Sequence, residues 1–134
     1  MTSYRLQIVT PDGLRFDGQA EKLIVRSTTG DVCILPRHIN YVTALGMGEA
    51  RVWIDGRERH AACIGGMLSV HDGEVRLVAS TFEWQEDIDR ERAKRAEADA
   101  RNILGDGANH SAEELAMAEA KLRRALIRQG VAGR

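Results

Sequence analysis

Aromatic side chains are scarce in this chain: two Trp, two Tyr and two Phe among 134 residues. A surface that stacks successive bases needs interleaved rings, and a polyanion binder needs excess positive charge, whereas the formal net charge is −1. No nucleic-acid partner is expected. Cysteine is limited to Cys33 and Cys63, too few for a disulfide framework. Both stand in apolar runs and read as reduced core thiols of a cytosolic protein. The chain lacks a basic start followed by an apolar run, so no secretory signal is expected. It also lacks the roughly 18 apolar residues of a membrane span; the best candidate, "AACIGGMLSV", is short and broken by a glycine pair. Direct membrane insertion is therefore not expected, and work at a membrane would pass through a partner.

Catalytic signatures are missing as well. No G-x-x-x-x-G-K-[ST] phosphate loop is present, and "GMGEAR" precedes an expected strand instead of opening a helix, so it is no dinucleotide fingerprint. His38, His60, His71 and His110 are scattered without ligand spacing, so no metal site is expected. Nothing matches H-E-x-x-H or a nucleophile elbow. No catalytic residue and no required cofactor are expected.

What is present follows two grammars. Residues 1–85 read as β. "YRLQIVT" alternates before "PDG" turns the chain, and "EKLIVRS" and "GDVCILP" offer further strands. Asp55-Gly56 and Asp72-Gly73 stand between β-rich arms, the signature of tight hairpins. Short strands with turn signals every 8 to 12 residues or so suggest a β-sandwich or flattened barrel. Residues 86–134 read as helix. "EDIDRERAKRAEADARNIL" is rich in Ala, Arg and Glu, with Glu86, Asp87, Asp89 and Glu91 crowding its start. "GDGANH" interrupts, and Ser111 with Glu114 fits a capping box opening a second helix. That helix reads acidic at its start and basic at its end (Lys121, Arg123, Arg124, Arg128). Ala93, Ala96, Ala100 and Ile103 form one apolar stripe; Leu115, Ala118, Leu122 and Ala125 form the other. At about 25 cal/mol per Å2 such a seam contributes only a few kcal/mol against the ordering of some forty residues. The hairpin is expected to be marginal alone and able to open. The fold class is thus α+β: an N-terminal antiparallel sandwich followed by a two-helix hairpin.

In "GDVCILPRH" a cysteine and a histidine stand five positions apart. A nucleophilic thiolate needs a base held beside it. An alternating strand puts Cys33 on the side of Leu35, with Pro36 bending the chain before His38. Cys33 is expected in a small core position and His38 at an exposed loop tip.

Taken in order, "IVTPDGLRFDG", "STTGDVCILPRH", "TALGMGEARV", "IGGMLSVHDGEVRLVA" and "EDIDRERA" resemble the epsilon subunit of the F-type ATP synthase over nearly the whole chain. The resemblance implies a non-catalytic stalk subunit of a bacterial enzyme, peripheral at the cytoplasmic face of the plasma membrane and monomeric when isolated. It implies that the sandwich binds the gamma subunit and rests on the ring of c subunits, helping couple rotation to proton flow. It also implies that the hairpin can extend toward the alpha and beta subunits and inhibit ATP hydrolysis. A gamma-binding face should expose apolar residues with a polar rim. By the same resemblance, Asp31, Arg37 and His38 are candidate contacts to the ring, although family members often carry glycine where Cys33 and Arg37 stand.

"IDRERA" fits the I-D-x-x-R-A pattern of epsilon subunits that bind ATP as a regulatory ligand. Ile88, Asp89, Arg92 and Ala93 match it, with Glu83 at the corresponding upstream place. Arg92 would pair with phosphate, joined by Arg123, Arg124 and Arg128 once the hairpin closes. A further first-helix arginine of the pattern is replaced by Asp99, leaving Arg95 or Arg101 as substitutes. Against this stands a plain structural role, in which Asp89 caps the helix and Arg92 lies on a solvated face. Other classes considered are a free-standing ATP-sensing module, a nucleic-acid adaptor using the basic end of the second helix, and an enzyme built on Cys33 and His38.

Overall fold

Every second residue of "YRLQIVT" points inward. The strand it forms, β1 (Tyr4–Thr10), buries Tyr4, Leu6, Ile8 and Thr10 while Arg5 faces solvent. The computed structural model describes residues 2–134 and divides into two units, the first ending at Gln85 and the second running from Glu86 to Arg134.

The first unit continues with β2 (Gly13–Ala20), β3 (Lys22–Ser27), β4 (Gly30–Ile34), β5 (Tyr41–Ala44), β6 (Met47–Ile54), β7 (Arg57–His71) and β8 (Glu74–Trp84). Hydrogen bonding follows the order β2-β1-β8-β7-β6-β3-β4, with β5 added to β7; β1 and β8 are parallel and the other pairings antiparallel. The strands form a β-sandwich in which the long β7 serves both layers. Its first part pairs with β6 through Ile64, and its last part pairs with β5 from Met67. The crossing falls at Gly65 and Gly66, with φ of 68° and 116°. A Cβ on Gly66 would strike the Val78 carbonyl, so only glycine fits there. Leu6, Ile8, Leu23, Val25, Ile34, Val52, Leu68, Leu77 and Phe82 fill the space between the layers. Both tight hairpins have the expected chemistry: φ is positive at Asp55 (52°) and Gly56 (75°), and at Asp72 (48°) and Gly73 (82°).

The expectation for the cysteines holds for one of them. Cys63 is buried on β7, and burial pushes its thiol up to about 12. Cys33 is exposed. It does share a side with Leu35, but that side faces solvent, because Ile34 is the fully buried residue of β4. Two apolar neighbours in a row made the phase of this short strand ambiguous.

In the second unit, α1 (Arg90–Gly105) starts after a 3-10 turn at Gln85–Asp87, later than the acidic run suggested, because Asp89 caps it. Asp89 Oδ1 accepts the Arg92 amide at 3.0 Å. α2 (Ala112–Ala132) opens with the full capping box of Ser111 and Glu114. It continues through Gly130, so its last turn contains no basic residue. Lys121, Arg123, Arg124 and Arg128 therefore lie in the body of α2, and the expected dipole compensation at its C-terminus is absent. Ala93, Ala100, Ala118, Ala125 and Val131 are buried. No described helix is long and apolar enough to cross a membrane.

Candidate functional site

The outer face of one sandwich layer carries an apolar strip. Register places Leu14 opposite Val9, Val9 opposite Val78, Val78 opposite Met67, and Met67 opposite Ala44, a continuous row across β2, β1, β8, β7 and β5. Directly opposed residues share a face. Leu14 is 57% exposed, Met67 48% and Val78 44%. The adjacent row is Asp17, Gln7, Arg76, Ser69 and Val42, polar except at its last member. An apolar strip with a polar border is the composition of a docking face. Its sequence signal was present: Ile8-Val9, Leu77-Val78 and Met67-Leu68 are apolar doublets, which put one apolar side chain on each face of a strand.

Residues 30–38 begin as a strand and end as a loop. Asp31 stands near the β3–β4 turn, where its Oδ1 accepts from Arg26 Nε at 2.7 Å. Arg37 and His38 lie beyond the other end of β4, in the turn that follows Ile34. Asp31 thus belongs to a different end of the strand from Arg37 and His38. Arg37 has φ of 66°, a left-handed conformation, which explains why glycine suits this position. Together with Thr2, Ser3, Gln19, Asp72 and Glu74 it lines an open cleft of about 580 Å3. His38 is half-buried instead of protruding; its ring stands 5.7 Å from that of Tyr41 and its Nδ1 lies 2.8 Å from Ile39 O.

The hairpin presents a second surface. Gln129 meets Glu97, and Lys121 meets Asp99, so positions that advance along α2 retreat along α1: the helices are antiparallel. The Asp99–Lys121 ion pair, 3.8 Å long, marks one flank. Arg92 lies seven positions before Asp99 (99 − 92) and Arg128 seven after Lys121 (128 − 121), about two turns in each case. Both steps run toward the same end, so Arg92 and Arg128 lie on one flank, with Arg124 on the same side of α2. Arg123 is exposed on the outer side of α2, away from the seam around Ala118 and Ala125, and does not join this group. Arg101 is committed to Glu97 at 2.7 Å on the opposite flank and does not replace the arginine missing at Asp99. Arg95 is exposed one turn from Asp99. Ile88 and Ala93 are buried, and Glu83 lies in β8 of the first unit. Among the described residues, no three potential metal ligands cluster.

Two surfaces, one apolar on a sandwich and one cationic on a hairpin, are the features of a two-part docking module. A family model described as the beta-sandwich domain of the ATP synthase Delta/Epsilon chain matches residues 3–85. The ATP synthase epsilon chain of Ruminococcus albus is 37% identical over 135 aligned residues, covering 100% of this chain and 99% of its own. That of Bacillus velezensis is 38% identical over 133, covering 99% of each. Among solved structures, a chain of the Euglena gracilis mitochondrial ATP synthase (OSCP/F1/c-ring, rotational state 1) superposes with a TM-score of 0.82 at 20% identity, over 97% of this chain and 81% of that one. A chain of the Tetrahymena thermophila mitochondrial enzyme (central stalk/c-ring) gives 0.61 at 11% identity, over 96% and 95%. The chain belongs to the ATP synthase epsilon chain family, and is a non-catalytic subunit of that enzyme complex.

Proposed function

We propose that this chain is a central-stalk subunit of a rotary ATP synthase, peripheral at the cytoplasmic face of a bacterial membrane, with a platform and a regulator in one polypeptide. The apolar row from Leu14 to Ala44 is the platform's contact with the gamma subunit, and it is the observation that carries the reading. A free-standing ATP sensor would leave that row facing water. The ends of β4, with Asp31 on one side and Arg37 and His38 on the other, supply candidate contacts to the c-subunit ring. The hairpin restrains ATP hydrolysis by reaching toward the alpha and beta subunits, and ATP holds it folded.

The ATP reading is supported by Arg92, Arg124 and Arg128 sharing one flank, where they can pair with phosphate. Asp89 is partly committed to capping α1, which fixes the backbone from which Arg92 projects. Trp84 is buried against Phe82, with Arg59 3.7 Å over its ring, so heat is a better readout of binding than its fluorescence. Calorimetric titration of the full chain with ATP should show saturable binding, weakened at least tenfold, about 1.4 kcal/mol, by Arg92→Ala. Absence of binding removes ATP from the mechanism, and unchanged affinity in the variant removes Arg92 from the site; either outcome leaves the stalk role standing.

A further inference from the structure

The fully buried residues shared by the two helices are mostly alanine, with Ile103, Leu104, Leu115 and Leu122 partly covered. Burying four methyl groups, those of Ala93, Ala100, Ala118 and Ala125, contributes about 3 kcal/mol at roughly 0.8 kcal/mol each. A contact outside these alanines adds to closure, and it is well formed. Glu97 Oε1 accepts from Gln129 Nε2 across the hairpin at 2.8 Å, and Glu97 Oε2 accepts from Arg101 Nε along α1 at 2.7 Å. The Glu97 side chain is only 25% exposed. Both of its oxygens are used: the bond along the helix fixes the rotamer that makes the bond across it. The ion pair on the other flank, Asp99 with Lys121, is longer at 3.8 Å and its partners are 65% and 43% exposed, so it contributes little.

We propose that Arg101, Glu97 and Gln129 form a clasp that holds the hairpin closed with no ligand bound. Its regulatory meaning rests on the reading of the hairpin as a movable restraint. The clasp lies on the flank opposite Arg92, Arg124 and Arg128, so it acts independently of an anion bound there. Nucleotide would then reinforce a hairpin already closed, and opening would require this three-residue contact to break. Glu97 and Gln129 are the positioning residues; Arg101 acts through Glu97.

The test is amide hydrogen exchange of the full chain without nucleotide, read over Ala118 to Arg128, whose helix is marginal once separated from α1. Glu97→Ala and Gln129→Ala should each speed exchange about tenfold. Alanine has the higher helix propensity at both sites, so faster exchange cannot come from a weaker helix. The double variant should be no faster than either single one, as expected of two partners in one contact. Arg101→Ala should give a smaller acceleration. Unchanged exchange in the single variants, or additive effects in the double, would overturn the clasp. Repeating the measurement with saturating ATP separates the two ideas: the variants differ from wild type with or without nucleotide if the clasp is right, whatever becomes of the ATP site.

Discussion

An acidic residue placed in the middle of the apolar row tests the stalk reading most directly. Met67 and Val78 are cross-strand partners at its centre, and about half of each side chain is already covered in the isolated subunit. Full burial of such a side chain is worth about 1.5–3 kcal/mol, so covering the rest by a partner contributes about 1 kcal/mol per residue. Met67→Glu removes that contribution and strands a carboxylate against an apolar surface, a further cost of about 1 to 3 kcal/mol. The sum predicts a loss of at least 2 kcal/mol, roughly a thirtyfold weaker complex with the gamma subunit. The isolated variant should still fold, because the substituted side chain points outward and the core beneath it (Leu68, Leu77) is untouched. The assay is a titration of purified subunit against a gamma-containing subcomplex, with thermal unfolding of the free variant as control. Wild-type affinity in a variant with an unchanged Tm would show that the row is not the docking face.

Other consequences are local. Arg37 occupies a left-handed conformation that costs a non-glycine residue about 1 kcal/mol; Arg37→Gly should raise stability by about 0.5 kcal/mol after glycine's entropic cost in the unfolded chain, and a lower Tm would refute the strain. Iodoacetamide at neutral pH should modify Cys33 in the native protein and Cys63 only after unfolding, since burial pushes the Cys63 thiol up to about 12; equal labelling by mass spectrometry would contradict the buried position. Gln129 and Arg101 hold the Glu97 carboxyl below the ordinary range, and His110 and Ser111 do the same for Glu114. These groups have folded values below their unfolded ones, so their contribution is present above about pH 4.3 and is lost as pH falls through the lowered values. Helicity of residues 86–134 under mild denaturant should therefore decline on acidification below that pH, and Glu97→Gln should flatten the profile; a flat wild-type profile would count against it.

The two-part architecture was legible because each half obeys one period. Alternation and Asp-Gly turns marked the strands, and an Ala-, Arg- and Glu-rich stretch with a complete capping box marked the helices. What escaped was phase and extent. β4 is only five residues long and mostly apolar, so nothing local said whether Cys33 or Ile34 faced inward; contact with β3 decided it. α2 runs through Gly130, so the basic residues read as its end lie in its body. For the candidate sites, residue types were readable and convergence was not. Arg123 and Arg124 are neighbours in sequence, yet the helical period turns one away from the seam and brings the other to the flank of Arg92. The apolar row was harder still, because its members come from five strands and only the register aligns them.

The same glycine pair links the platform's rigidity to the placement of its contact row. Gly66 lets β7 cross between layers at a separation no side chain would permit, and Met67 follows it directly. A larger residue at 66 would push β7 away from Val78, the residue that Met67 opposes, and so would break the row at its centre. A contact surface fixed by backbone approach is held as firmly as the core behind it. The hairpin is held differently, by alanine contacts and by hydrogen bonds to one carboxylate, and contacts of that size can break and re-form without disturbing a separate core. Firm contacts and breakable ones therefore call for different packing, and this chain carries both, with its division near residue 85.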